Sequence, residues 1–167
     1  MGLFSKDIES MGDLFIHQLQ DIYYAEKRIL TALPDMIEKA TSPALRLAFT
    51  KHLGETRNHV KRVEQVFELY CAERQSVRCP AIDGIIDEAD KVADDVADKN
   101  VLDAALIAAA QAVEHYEMTR YGTLIAWARE LGRDDCAHLL KENLAEEHAA
   151  DKTLTDIAEG GVNSAAA

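Results

Sequence analysis

Acidic side chains interrupt the apolar face of each of the four long helices that the sequence predicts. Apolar residues recur at steps of three and four from position 7 to about 40, and the pattern returns over 44–72, 100–131 and 134–159. Such spacing is typical of amphipathic helices that bury one face. Any fold that packs these faces together must therefore also accommodate carboxylates in its core.

The connections between the helices distinguish among the kinds of helical bundle. Thr41-Ser42-Pro43 is a short turn and Gly132 ends the third helix, whereas residues 73–99 form a long crossover in which Ile85 and Ile86 indicate a short helix. A ferritin-like bundle has two short turns and one long crossover, whereas an up-down-up-down bundle has three short turns. The sequence therefore predicts an all-α, ferritin-like antiparallel four-helix bundle with an extra crossover helix.

The domain boundaries follow from the same pattern. We expect residues 1–160 to form the bundle and residues 161–167, Gly-Val-Asn-Ser-Ala-Ala-Ala, to form a flexible tail.

The inward carboxylates are predicted to lie at similar heights. In an antiparallel hairpin, residues equally far from the turn lie at the same level. Glu26 is 16 residues before position 42 and Glu55 is 13 after it, while Glu117 and Glu147 are each 15 residues from position 132. At a rise of about 1.5 Å per residue, the four carboxylates fall within roughly one turn of a common layer.

Three more side chains share these inner faces. Glu114 lies one turn before Glu117, His59 lies four residues after Glu55, and Asp151 lies four residues after Glu147. Unpaired carboxylates in one core layer would be strongly unfavourable, but two divalent ions supply four positive charges and two trivalent ions supply six. We therefore predict a metal pair with these ligands: Glu26, Glu55, His59, Glu114, Glu117, Glu147 and Asp151.

The residue types also bear on the metal and on neighbouring side chains. Mostly oxygen ligands favour two iron ions, or alternatively manganese, over zinc. The structural alternative is that some of these carboxylates lie at helix edges and meet solvent or basic side chains. His52 is assigned to support or packing, and Tyr121 to aromatic filling of the core.

The charge and the cysteines exclude several functions. Thirty acidic against 18 basic side chains give a formal net charge of −12, so nucleic acid and anionic membranes are not expected partners. The sequence has neither a signal peptide pattern nor an apolar run of about 18 residues, so we expect a cytoplasmic protein. Its three cysteines include no C-x-x-C pair, which argues against a rubredoxin-type iron site.

Three segments resemble the YciE/YciF group of ferritin-like stress proteins, and the resemblance covers nearly the whole chain. They are Asp-Ile-Tyr-Tyr-Ala-Glu-Lys at 21–27, Val-Glu-His-Tyr-Glu at 113–117 and Tyr-Gly-Thr-Leu at 121–124. The resemblance implies a four-helix bundle with a short crossover helix, commonly found as a dimer.

The wider superfamily includes rubrerythrins, which carry Glu, Glu-x-x-His, Glu-x-x-Glu and Glu-x-x-x-His on their four helices. Glu26, the pair Glu114 and Glu117, and Glu147 are similar to this pattern. The chain departs from it because His59 follows Glu55 at four residues rather than three, and because Asp151 stands where rubrerythrins have a second His.

Several functions remain open at this point. One is oxidant chemistry at the metal pair, either peroxidase-like with an external reductant or catalase-like without one. The other main hypothesis is a non-enzymatic stress or structural protein whose metals stabilise the bundle, and iron storage in a closed cage is a third. No catalytic residue is assigned from the sequence, and a homodimer is the expected assembly.

Overall fold

The computed structural model describes residues 7–167, and helices account for most of them. Their bounds are α1 (Met11–Lys39), α2 (Pro43–Leu69), α3 (Pro80–Asp95), α4 (Lys99–Glu130) and α5 (Asp134–Ile157). A π-helical segment, Ala158–Val162, and a last short helix, α6 (Asn163–Ala166), follow. No strand occurs in this part of the chain, so the all-α prediction is confirmed.

Capping side chains explain where the helices begin. Ser10 accepts a hydrogen bond from the Asp13 backbone N–H, so α1 begins at Met11 rather than at position 7. Ser42 does the same for α2, whose first residue is Pro43, and Asp98 caps α4. The predicted turns are therefore built by short polar side chains that satisfy free N–H groups.

The four long helices form a bundle of two hairpins. α1 packs against α2 and α4 packs against α5, while α2 also packs against α5 and α1 against α4. All these neighbours are antiparallel, because Asp103 of α4 bonds to Thr41 at one end and Arg133, just before α5, bonds to Leu69 at the other. α2 and α4 therefore run in the same direction, and a long crossover must connect them.

α3 is the predicted crossover helix, and it packs against α1 and α4. It buries Ile82 and Ile86, and the buried carboxylate of Asp83 accepts hydrogen bonds from Tyr24, Arg28 and Arg78 at 2.8–3.0 Å. The hydrogen bond from Arg78, followed by those from Tyr24 and Arg28, lowers the pKa of Asp83 despite its burial. Ionised Asp83 therefore adds to the free energy of unfolding at neutral pH. This contribution is lost as the pH falls through the lowered pKa.

Residues 161–167 continue the helical chain beyond α5, and both the π-helical segment and α6 contact α4. Val162 packs against the core as a partly buried side chain. None of the helices in residues 7–167 combines the length and the hydropathy that crossing a bilayer requires.

The turn between α1 and α2 is held from a distance by Asp103. This buried carboxylate of α4 accepts from Thr41 N at 2.7 Å, from Thr41 Oγ1 at 2.6 Å and from Ser42 N at 2.8 Å. It therefore fixes the turn that sets the relative heights of α1 and α2.

We predict that Asp103→Asn lowers the free energy of unfolding by about 1–3 kcal/mol, because an amide places N–H groups against at least one of three donors. The measurement is urea denaturation, and the control is Asp95→Asn at the exposed end of α3. Equal midpoints for the two variants would contradict the role of Asp103 in the turn.

Candidate metal centre

Six buried polar side chains from all four long helices converge in the core, and we call them the Glu/His cluster. None of them exposes more than 5% of its surface. They are Glu26 on α1, His52 and His59 on α2, Glu114 and Glu117 on α4, and Glu147 on α5. Each helix thus contributes at least one potential ligand, as in bundle-core metal sites.

The cluster divides into two groups with metal-ligand spacing. His52, Glu114, Glu117 and Glu147 form one group, and Glu26, His59 and Glu147 form the other. Within each group the candidate ligand atoms lie within 4.8 Å of one another. Because Glu147 belongs to both groups, its carboxylate is placed to bridge two ions.

The separations between ligand atoms are compatible with a shared cation. His59 Nδ1 lies 2.9 Å from Glu147 Oε1 and 3.4 Å from Glu26 Oε1, and His52 Nε2 lies 3.2 Å from Glu114 Oε1. Two ligands at right angles, each about 2.1 Å from one ion, lie about 3 Å apart. The short distances are therefore those expected of groups that face a common ion.

Several of these atoms have no hydrogen-bond partner among residues 7–167. They are both ring nitrogens of His52, His59 Nδ1, Glu26 Oε2, Glu114 Oε2 and both carboxylate oxygens of Glu117 and Glu147. Buried polar groups without partners are costly and rare in native cores. The donor set thus fits a metal pair, which would satisfy these atoms together.

Protonation is the other way to neutralise the cluster. Burial, reinforced by neighbouring carboxylates, raises the pKa of Glu117 and of Glu147 well above the usual range. Although burial opposes it, the negative charges of Glu26 and Glu117, with the contact to Glu146, raise the pKa of His59 to about 9. Without a cation the cluster therefore retains protons, which metal ions would have to displace.

An ion pair behind His59 fixes the orientation of its ring. His59 Nε2 lies 2.8 Å from Glu146 Oε2, and Glu146 in turn accepts from Arg62 at 2.8 and 3.0 Å. When the ring is neutral, as in a metal ligand, a proton on Nε2 satisfies Glu146 and leaves the Nδ1 lone pair directed towards Glu26 and Glu147. Carboxylates commonly hold metal-ligating imidazoles in this way.

A second buried network supports Glu26. The Tyr121 hydroxyl donates to Glu26 Oε1, and Asn143 Nδ2 donates to the Tyr121 oxygen at 2.9 Å. Burial and the charge of Glu26 raise the pKa of Tyr121, so the hydroxyl keeps its proton. Tyr121 is therefore more than core filling, because it holds one carboxylate oxygen in place.

Two of the residues predicted as ligands lie outside both groups. The Glu55 side chain is 18% exposed and lies 3.6 Å from His52 Nδ1. The neighbouring His52 ring and then the Lys51 ammonium lower the pKa of Glu55 to about 2 despite partial burial. Asp151 instead accepts from Gln111 at 3.0 Å and lies 3.3 Å from His115.

The structure brings together the other predicted ligands, Glu26, His59, Glu114, Glu117 and Glu147, and adds His52. The signal for His52 was present in the sequence, since it precedes His59 by seven residues and two helical turns return to the same face. Neither Tyr121 nor Glu146 shows a comparable signal.

Comparison with known proteins matches residues 10–167 to the family described as a domain of unknown function, DUF892. The chain belongs to this family. Protein YciF of Escherichia coli K12 is 43% identical over 161 residues, which cover 96% of this chain and 97% of YciF. The resemblance to the YciE/YciF group is thus confirmed.

Solved structures agree with the DUF892 fold. YcfI from Rhodopseudomonas palustris is 56% identical and superimposes with a TM-score of 0.89, covering 92% of this chain and 98% of YcfI. The crystal structure of the E. coli stress protein YciF has a TM-score of 0.89 and covers 93% and 99%. A Xanthomonas campestris protein at 21% identity, with a TM-score of 0.75 and coverage of 93% and 95%, shows the shared fold alone.

We predict that Glu147→Gln lowers the metal content from about two ions per chain to one or none, because both ligand groups lose an anionic ligand. Elemental analysis after metal loading measures this. Glu130→Gln, at the exposed end of α4, is the isosteric control and should retain both ions. An unchanged metal content in the Glu147 variant would show that the two groups do not share this ligand.

We also predict that Glu146→Gln weakens metal binding by about tenfold, since the neutral amide no longer fixes the His59 ring. The matched control is Glu142→Gln, because Glu142 also contacts Arg62, at 2.9 Å, but is not a partner of His59. Competition with a chelator measures both affinities. The same loss in both variants would assign the effect to Arg62 instead of His59.

Proposed function

We propose that the Glu/His cluster binds a carboxylate-bridged pair of iron ions, with manganese as the alternative, and that this pair reacts with peroxide or dioxygen. The observation that carries the proposal is that two buried ligand groups share Glu147. A single ligand group would be enough to neutralise one buried charge. Here both adjoining groups contain buried atoms that have no hydrogen-bond partner among residues 7–167.

The charge balance supports divalent ions. The cluster contains four carboxylates, and its two imidazoles are neutral when they ligate a metal, so two divalent ions match the ionised form. Carboxylate-rich sites with some imidazole suit iron and manganese, whereas structural zinc prefers nitrogen and sulfur. The six-carboxylate estimate from the sequence is larger because it included Glu55 and Asp151.

The metal pair would supply two electrons, one from each ion, so that one hydrogen peroxide and two protons yield two water molecules. The protein's own contribution is to hold the ligands. Tyr121 fixes Glu26, and the Arg62–Glu146 pair fixes His59. Burial of the whole cluster limits the access of bulk water.

Returning electrons to the site requires a partner. Cys79 and Cys136 are buried free thiols and Cys71 is exposed, and the sequence has no C-x-x-C pair. We therefore include an external reductant in the proposal. A homodimer in the cytoplasm, with neither nucleic acid nor membrane as a partner, completes it.

The second candidate function is a non-enzymatic one, in which the ions neutralise the core and stabilise the bundle. The observation that favours it is that a structural role has been suggested for YcfI, which is 56% identical to this chain. The buried acidic cluster is consistent with it, because apoprotein stability would be limited by the cost of burying those charges.

We predict that anaerobically loaded ferrous protein is oxidised by about one equivalent of hydrogen peroxide per metal pair, with slow turnover unless a reductant is added. Absorption spectroscopy follows the change in oxidation state, and the Glu147→Gln variant is the control that lacks the shared ligand. Loaded protein whose spectrum responds to neither peroxide nor dioxygen would favour the structural function. Rapid oxygen release without a reductant would point to catalase-like chemistry with manganese.

A further inference from the structure

A cavity of about 60 Å³ adjoins the Glu/His cluster. It lies among helices α1 to α5, with α3 covering one side, and its inner end is lined by His52 and Glu114. One water-sized molecule needs only about 10–15 Å³ of such space, so the cavity has room for a molecule larger than water. Because His52 and Glu114 belong to the same ligand group, the cavity adjoins that group directly.

Most of the surface that lines the cavity is apolar. Alanines from α1 to α5 line it together with larger apolar side chains, among them Leu33, Met36, Phe49, Leu106 and Val113. The charged side chains of the lining, apart from those at the cluster, include exposed Asp35, Lys51 and Asp90. A molecule that enters from solvent therefore passes a charged rim, then an apolar wall, before it meets His52 and Glu114.

The alanines make this space. At these positions the helices carry a single methyl group where their other inner positions carry Leu, Ile or Phe, so the core is left unfilled next to the cluster. A void with apolar walls does not retain ordered water well, but it binds small apolar molecules. A small molecule bound in this cavity would lie next to the candidate metal centre, because His52 and Glu114 line it.

We propose that this cavity is a binding site for dioxygen, through which the oxidant reaches the metal centre. The inference rests on the proposed function and names its oxidant. Hydrogen peroxide would leave its hydrogen bonds to water unsatisfied along the apolar wall, whereas dioxygen makes no hydrogen bonds that it would lose. The cavity thus selects by polarity for dioxygen over peroxide.

The first test uses xenon as a probe of the metal-free, full-length protein. We expect one xenon site between Met36 and His52 in the crystal under xenon pressure. Ala109→Phe should fill the cavity and abolish that site, with Ala109→Leu as a milder variant if the larger one does not fold. Ala108→Phe, on the exposed side of the same helix, should keep it. A wild-type cavity without xenon would overturn the proposal.

The second test uses the ferrous-loaded protein with equal metal content in each variant. In this reaction the two ferrous ions would give one electron each to dioxygen, which with two protons becomes hydrogen peroxide. Ala109→Phe should slow this oxidation at least about tenfold, and Ala108→Phe should not. Equal rates in these two variants would overturn the route through the cavity. If the loaded wild type reacts with neither dioxygen nor peroxide, the proposed function is wrong. Xenon bound in the cavity would then show that the cavity still binds a small apolar molecule, so the two outcomes can be told apart.

Discussion

Burial of four carboxylates in one layer of the core is the constraint on which the rest of this structure depends. Glu26, Glu114, Glu117 and Glu147 are at most 2% exposed, and burial raises the pKa values of the last three. Such a layer is stable only if protons or cations neutralise it. Protons would neutralise the charge, whereas two cations would neutralise it and also give the buried ring nitrogens and carboxylate oxygens that have no hydrogen-bond partner common ions to coordinate.

Polar contacts between the four long helices fix the heights and rotations at which they present these carboxylates. Asp103 of α4 closes the α1–α2 turn, and Arg62 of α2 joins Glu146 of α5 next to the cluster. Tyr121 and Asn143 connect α4 and α5 to Glu26 of α1. At the level of the ligands these contacts join α2 to α5 and connect α1, α4 and α5 to one another, whereas Asp103 acts at one end of the bundle.

The fold and the height of the cluster could be predicted from the sequence because both depend on local rules. Apolar periodicity and turn lengths define the bundle, and counting residues from the turns places Glu26, Glu117 and Glu147 near one level. The exact rotation of each helix could not be predicted. An offset of four residues turns a side chain by about 40° from its neighbour, and this is enough to leave Glu55 beside His52 and Asp151 beside His115. The hydrogen bond from Tyr121 to Glu26 was not predicted, because it joins two helices and the residue spacing within either helix does not reveal it.

The central claim is that two ions share Glu147, and anomalous scattering from crystals of the metal-loaded protein tests it most directly. The account predicts two peaks about 3.5–4 Å apart on either side of the Glu147 carboxylate, one near His52 and one near His59. A single peak, or peaks only at exposed acidic side chains with the Glu/His cluster free of metal, would contradict it.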